Sequence, residues 1–170
     1  MKKSKNSKIT VVIIMAVMVG LLGFNNLFSP VGLSTPGMAL SEIMNSCVEH
    51  NTKFSFRIYP RLRILIEGKE QPIPANIGVE PNCMKPVHTY DETGTIHIEA
   101  KEPIGIPLGE FFRLWGKGFS RNQILDAVRD AEHEVVMLVN GSPSEEFGNL
   151  IMQSGQEIVI EHRKISKDKN

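Results

Sequence analysis

The chain has few of the patterns that announce a reaction. Its 170 residues hold no Gly-rich phosphate loop, no dinucleotide fingerprint, no nucleophile elbow and no paired zinc-finger cysteines. Nucleotide chemistry, serine hydrolysis and finger-type zinc folding are therefore without their usual scaffolds. An excess of charge of one sign is missing too, since 19 basic residues balance 19 acidic ones. That balance conceals an asymmetry. Lys2, Lys3, Lys5 and Lys8 precede the first acidic residue, so the part beyond them carries a net charge of about −4. A phosphate backbone meets no cationic field there, which argues against nucleic acid as a partner. Cysteine is scarce, with only Cys47 and Cys83, and no lipobox cysteine follows the N-terminal apolar run.

What is present starts with that run. Residues 9–24 are apolar apart from Thr10 and two glycines, long enough for a short membrane span or a generous signal-peptide core. Gly37-Met38-Ala39, the small-x-small candidate downstream, lies too far on for ordinary signal cleavage. The expectation is an uncleaved signal anchor, with a cytoplasmic lysine tail over 1–8 and a single transmembrane helix over 9–28. A Pro/Gly/Ser stalk over 29–46, an exported domain over 47–163 and a disordered tail over 164–170 follow. This places the protein in the cell membrane as a single-pass chain, with its C-terminal domain outside the cytoplasm.

In an oxidising compartment two cysteines read first as a disulfide. A Cys47–Cys83 bridge closes a loop of about 37 residues and contributes roughly 3–4 kcal/mol by the chain-entropy relation. Two thiolate ligands of a soft metal are the other reading, because histidines lie close by.

The apolar periodicity gives the elements. Phe54, Phe56, Ile58, Leu62, Ile64 and Ile66 alternate with Ser55, Arg57, Tyr59, Arg61 and Arg63. This predicts one long strand, broken or bulged at Pro60, with a cationic outer face. Glu67-Gly68-Lys69-Glu70 predicts a hairpin turn, and residues 71–78, with two prolines, an edge strand or extended loop. Residues 95–100 alternate like a half-buried strand. Leu108, Phe111, Phe112 and Trp115 recur at helical spacing before Gly116 and predict a core helix. Ser120 is read as the cap of a second helix through Ala131, with Ile124, Leu125 and Val128 on one face. Residues 134–139, an Asn140-Gly141-Ser142-Pro143 turn and residues 157–162 supply two last strands. Asn140-Gly-Ser142 also fits a glycosylation pattern, weakened by Pro143. The order predicts an α+β domain, a mixed sheet with one or two helices packed on one face.

The metal-capable and titratable side chains are densest around Cys83, His88, Asp91 and His97. Local roles exist for each: Asp91 capping the Asp-Glu-Thr-Gly turn, His88 bonding a nearby carbonyl, and His97 serving as a cross-strand partner for a carboxylate. The arginines likewise have cross-strand partners in Glu99 and other carboxylates. His133 and His162 are assigned no role.

Several motifs carry a resemblance: Cys47-Val-Glu-His50, Arg57-Ile-Tyr-Pro-Arg-Leu62, Ile73-Pro-Ala-Asn-Ile-Gly78, Cys83-Met-Lys-Pro-Val-His-Thr-Tyr-Asp91, Thr93-Gly-Thr-Ile-His-Ile-Glu99, Leu108-Gly-Glu-Phe-Phe112 and Trp115-Gly116. Over about residues 47–163 they resemble a family of exported or membrane-anchored domains from archaea and environmental bacteria. That family carries His-x-His-Pro-His, Ile-Pro-Ala-Asn-Ile-Gly and His-Thr-His-Asp motifs, and it brings no settled function. Alternating histidines of that kind imply a first-row metal site. This chain has Arg57, Tyr59, Arg61 and Tyr90 where the family has histidine, and a guanidinium has no lone pair to give a metal. The stretch from Val135 to Arg163 also looks like the last third of a β-grasp (ubiquitin-like) domain.

Three functions follow as expectations. The first is a non-enzymatic, membrane-anchored binding module without a cofactor, meeting a protein or a small anionic ligand through Arg57, Tyr59, Arg61, Arg63, His88, Asp91 and His97. The second is a copper- or zinc-binding protein using His50, Cys83, His88, Asp91 and His97, helped by Cys47. The third is a hydrolytic or redox enzyme built on the same cluster.

Overall fold

The computed structural model describes residues 40–48 and 53–166. The expected anchor over 9–28 and the candidate ligand His50 lie outside the described residues. Among the described residues no helix is long and apolar enough to cross a membrane. The first element is a short helix, α1 (Leu40–Asn45), whose Met44 is fully buried. The folded part thus begins inside the expected stalk.

Strands then dominate. They are β1 (Phe56–Ile58), β2 (Arg61–Ile66), β3 (Lys69–Gln71), β4 (Val79–Glu80), β5 (Cys83–Met84), β6 (Val87–His88) and β7 (His97–Ala100). Helix α2 (Leu108–Trp115) separates these from β8 (Phe119–Ser120), β9 (Gln123–Ile124), β10 (Ala127–Val128), β11 (His133–Val139), β12 (Ser142–Ser144) and β13 (Glu157–Lys164). The expected α+β, β-grasp-like class is corrected on this balance. Among the described residues thirteen strands accompany one helix of eight residues and one of six, which makes the fold β-rich.

The missing second helix explains much of the difference. Where that helix was expected, residues 119–128 form the three-stranded meander β8–β9–β10. Leu125 takes φ 54°, a left-handed value that interrupts a right-handed helix. Its N–H donates to the Gly118 carbonyl, and Arg129 N–H donates to Asn122. The supposed apolar face does not exist either, since Ile124 is buried while Val128 is exposed.

A five-stranded sheet runs in the order β12–β11–β13–β2–β3, antiparallel except for the parallel β13–β2 pair. Its registers line up Ile64, Ile160 and Met137 across three strands, all buried. Leu108, Phe111 and Phe112 of α2 join the same core cluster, and Gly116 ends that helix at φ 69°. Two tight hairpins fix the outer registers. Glu67-Gly68 closes β2–β3 and Asn140-Gly141 closes β11–β12, with all four residues at positive φ. Mirror-image turns of this kind match the twist of the strands they join.

A second sheet is small and decides the rest. Strands β1, β7 and β6 pair antiparallel in that spatial order, with Ile58 opposite Ile98 and Ile98 opposite Val87. Those three side chains are buried. The predicted long strand is thus cut in two at Tyr59-Pro60, one half entering each sheet. Outside both sheets β4 pairs with β5, and the Cys47–Cys83 disulfide, with Cα atoms 4.9 Å apart, ties the α1 arm to β5.

Gly94 marks where the sheets meet, since Leu62 N–H donates to its carbonyl. It sits at φ 79°, and an added Cβ would overlap the Leu62 carbonyl oxygen, whereas Gly68 at φ 77° faces open space. Gly94→Ala is therefore expected to cost about 2 kcal/mol or more and Gly68→Ala about 1 kcal/mol. Urea unfolding of the two variants checks the ranking, and equal losses would refute it.

Candidate functional site

The polar face of the small sheet gathers the side chains of interest by strand alternation. Val87, Ile98 and Ile58 point into the core, so His88, His97, Glu99 and Arg57 point away from it. Register then pairs them. Arg57 lies directly opposite Glu99, with Nε 3.5 Å from Oε1, and His88 lies directly opposite His97.

Four rings meet on this face. The imidazoles of His88 and His97 stack at 5.5 Å with an interplanar angle of 18°. Tyr59, one residue past β1, meets His97 edge-on at 5.0 Å. Tyr90, two residues after His88, meets both His88 and His97 at 4.7 Å. Such perpendicular contacts suit the charge distribution of aromatic rings. The outer members are accessible, Tyr59 at 40 % and Tyr90 at 50 %, while His88 beneath them is at 0 %.

His88 is the fully buried ring of this face. Its Nδ1 lies 2.9 Å from the Lys85 carbonyl, which can only accept, so Nδ1 carries the proton. The lone pair then sits on Nε2, which is buried and has no partner among the described residues. An unmet acceptor of this kind costs about 1–3 kcal/mol. Burial pushes the His88 pKa below its ordinary value, and His97 adds to that push. The Lys85 hydrogen bond and the Glu99 carboxylate partly oppose it. Burial likewise raises the Tyr90 phenol, helped by Glu99 and Tyr59 and opposed by Arg57. The Tyr90 hydroxyl donates to Met84 Sδ at 3.3 Å.

The other candidates are dispersed. Asp91 Oδ1 accepts from the Thr93 hydroxyl at 2.6 Å and the Thr93 N–H at 3.0 Å. These two bonds hold its carboxyl below the ordinary range, and they cap the turn as its sequence implied. Arg63 makes a paired contact with Glu70, Nε to Oε1 at 2.9 Å and Nη2 to Oε2 at 3.1 Å. Arg61 is exposed on β2. The expected outer-face alternation of Arg57, Tyr59, Arg61 and Arg63 persists past Pro60, with Tyr59 among the rings, Arg61 bridged to Thr95 and Arg63 paired with Glu70 in the larger sheet.

The metal and enzyme sets are not assembled. Cys83 is spent in the disulfide and Asp91 in its turn, which leaves two imidazoles where a zinc or copper centre takes three or four ligands. Among the described residues no three of His, Cys, Asp and Glu gather to hold a metal. His88 and Asp91 each bond local groups, so the acid–base pair an enzyme would need is not formed. Two clefts, of about 380 and 340 Å³, open elsewhere, one beside Ser144, Gln153 and Gln156, the other beside Glu67 and Arg163.

Sequence reasoning left Tyr90 out of the site. The usable signal was its spacing of two from His88. It also gave His133 and His162 no role, yet their rings stack at 5.0 Å. Asp130 Oδ1 lies 3.0 Å from His133 Nδ1 and Glu67 Oε1 3.4 Å from its Nε2. His162 Nε2 donates to the Val128 carbonyl, pinning β10 to the large sheet.

An NMR titration of the imidazoles is expected to place His88 below 6.5, and Glu99→Gln to lower it further, because that carboxylate favours the charged ring. The folded form binds this proton less readily than the unfolded chain. His88 therefore contributes stability in full above pH 6.5, and that contribution is lost as the pH falls through the depressed value. A rise in the Glu99→Gln variant would contradict the arrangement.

No family model matches this chain, and no curated protein and no solved structure matches it, so the chemistry of the ring face is read from its own residues.

Proposed function

We propose that the protein is a non-enzymatic binding module, held at the outer membrane surface by residues 9–28, which docks a protein partner through the ring face. The observation that carries this reading is the pair of accessible tyrosines, Tyr59 packed on His97 and Tyr90 on both stacked histidines, with Arg57 on the neighbouring strand position. Tyrosine and arginine are the side chains that dominate protein interfaces, and rings already held by neighbours lose little entropy on contact. Small-molecule sites are concave. Neither cleft described above is lined by these rings, which favours a broad protein surface as the ligand. The negative balance of the chain beyond its lysine tail speaks against nucleic acid.

The arginines support this reading of the partner. Arg57 and Arg63 are already paired with Glu99 and Glu70, so the arginine beside the rings is not free to capture a small anion. What the face offers is aromatic area with a polar rim.

A photo-reactive residue at position 59 of the full chain, in its own membranes, is expected to yield one discrete adduct. Tyr90→Ala is expected to weaken that adduct about 10-fold or more, corresponding to ~1.4 kcal/mol or more at an interface hot spot. The same reporter at Arg163 should give none. An adduct insensitive to Tyr90→Ala, or equal at both positions, would overturn the reading.

A further inference from the structure

We infer that the Cys47–Cys83 bridge is a redox gate on the ring face. Its importance for docking rests on the function proposed above, but the gate itself is read from contacts that do not involve a partner. Cys83 opens a short segment whose next residues hold the rings in place. Met84 Sδ receives the Tyr90 hydroxyl, and the Lys85 carbonyl receives His88 Nδ1–H. The bridge is therefore one residue from the first support and two from the second.

Little else fixes that segment. Strand β5 pairs only with β4, over two residue pairs, and belongs to neither larger sheet. Its remaining ties run largely to the arm that the disulfide holds. Val48 N–H donates to the Met84 carbonyl at 2.7 Å, and Lys85 Nζ donates to the Asn45 carbonyl at 3.0 Å. On the domain side Lys85 N–H donates to Gly78. Opening the bridge frees the arm beyond Met44 and removes the covalent member of this set. Regions with few buried contacts are the ones that open locally at low cost. The Tyr90 ring then loses its tether over His88, and the buried Nε2 lone pair becomes reachable.

The bridge is also accessible to chemistry. Cys47 is exposed and Cys83 half-buried. The reductant is a dithiol, whose thiolate attacks Cys47 Sγ, breaking the S–S bond and forming a mixed disulfide. Cys83 leaves as a thiolate and takes a proton. The second thiol of the reductant attacks the mixed disulfide and releases Cys47 as a thiol. Two electrons and two protons pass to the protein, and the dithiol leaves as a disulfide. Reoxidation by a disulfide of the same class reverses each step.

The test uses the full chain with dithiothreitol as the dithiol and diethyl pyrocarbonate as the probe of accessible neutral imidazole, read residue by residue by peptide mass spectrometry. Reduction is expected to raise His88 modification at least tenfold while His133 and His162 stay as slow as in the oxidised protein. A Cys47→Ser/Cys83→Ser variant should give the same pattern without reductant. If His88 stays protected in the reduced protein, there is no gate. If all three histidines accelerate together, the bridge holds the whole fold rather than this face, and the inference falls. The photo-adduct at position 59 separates the two proposals. His88 opening with no adduct in either redox state would remove the docking role and keep the gate, and an adduct beside a permanently protected His88 would do the reverse.

Discussion

Pro60 has no N–H to donate, and the architecture follows from how the chain deals with that. The pairing with the segment that carries β7 lacks one bond here but keeps its register, Ile58 opposite Ile98 before the proline and Arg61 bridged to Thr95 after it, and from Arg61 on the strand also pairs with β13. Three backbone donors around the proline are satisfied. Ile96 N–H donates to the Pro60 carbonyl, Arg61 N–H to Gln156 and Leu62 N–H to Gly94. The two sheets are thereby joined by backbone hydrogen bonds at one corner, where Gly94 allows the close approach. The continued register is what brings Tyr59 to His97, edge-on at 5.0 Å.

Elements set by local chemistry were legible in the sequence. The helix Leu108–Trp115 reads directly, since its apolar spacing, its glycine stop and its burial all agree. The Glu67-Gly68 and Asn140-Gly141 hairpins, the Asp91 cap, the His88-to-carbonyl bond and the Arg57–Glu99 pair are also local or nearest-strand effects. What periodicity could not show was the region 119–128. Ile124, Leu125 and Val128 fit a helix face as well as a meander, and the deciding feature, Leu125 at φ 54°, goes with a bond to the Gly118 carbonyl seven residues earlier, on the far side of a turn. The ring cluster needed one more fact, the β1–β7–β6 pairing order. Alternation along each strand says which residues share a face but not which strands are neighbours.

Five arginines of the described surface are paired with carboxylates at short range. Besides Arg57 and Arg63, Arg113 pairs with Glu110 and Arg163 with Glu134. Exposed pairs of this kind add little stability each, but they lower the positive potential at the arginines that form them. Binding capacity on such a surface resides in area and shape rather than in net charge. The tyrosines of the small sheet supply that area on a backbone held by antiparallel pairing on both sides of β7.

Two stacked histidine pairs allow the functional site to be distinguished from a structural one by what surrounds each. His162 ends the inward row of β13 after Ile158 and Ile160, and its partner His133 has carboxylates near both ring nitrogens, from Asp130 and Glu67. That stack closes a corner and holds β10 through the Val128 carbonyl, so its cost is returned as tertiary structure. The His88–His97 stack closes nothing. Its outer edge is two accessible phenols, its buried nitrogen has no acceptor or donor to meet, and its nearest supports lie on a two-residue strand tied by a disulfide. Buried ring nitrogens without a hydrogen-bond partner occur in both stacks, at His88 Nε2, His133 Nε2 and His162 Nδ1, so what sets the His88–His97 stack apart is the accessible aromatic area of Tyr59 and Tyr90 beside it.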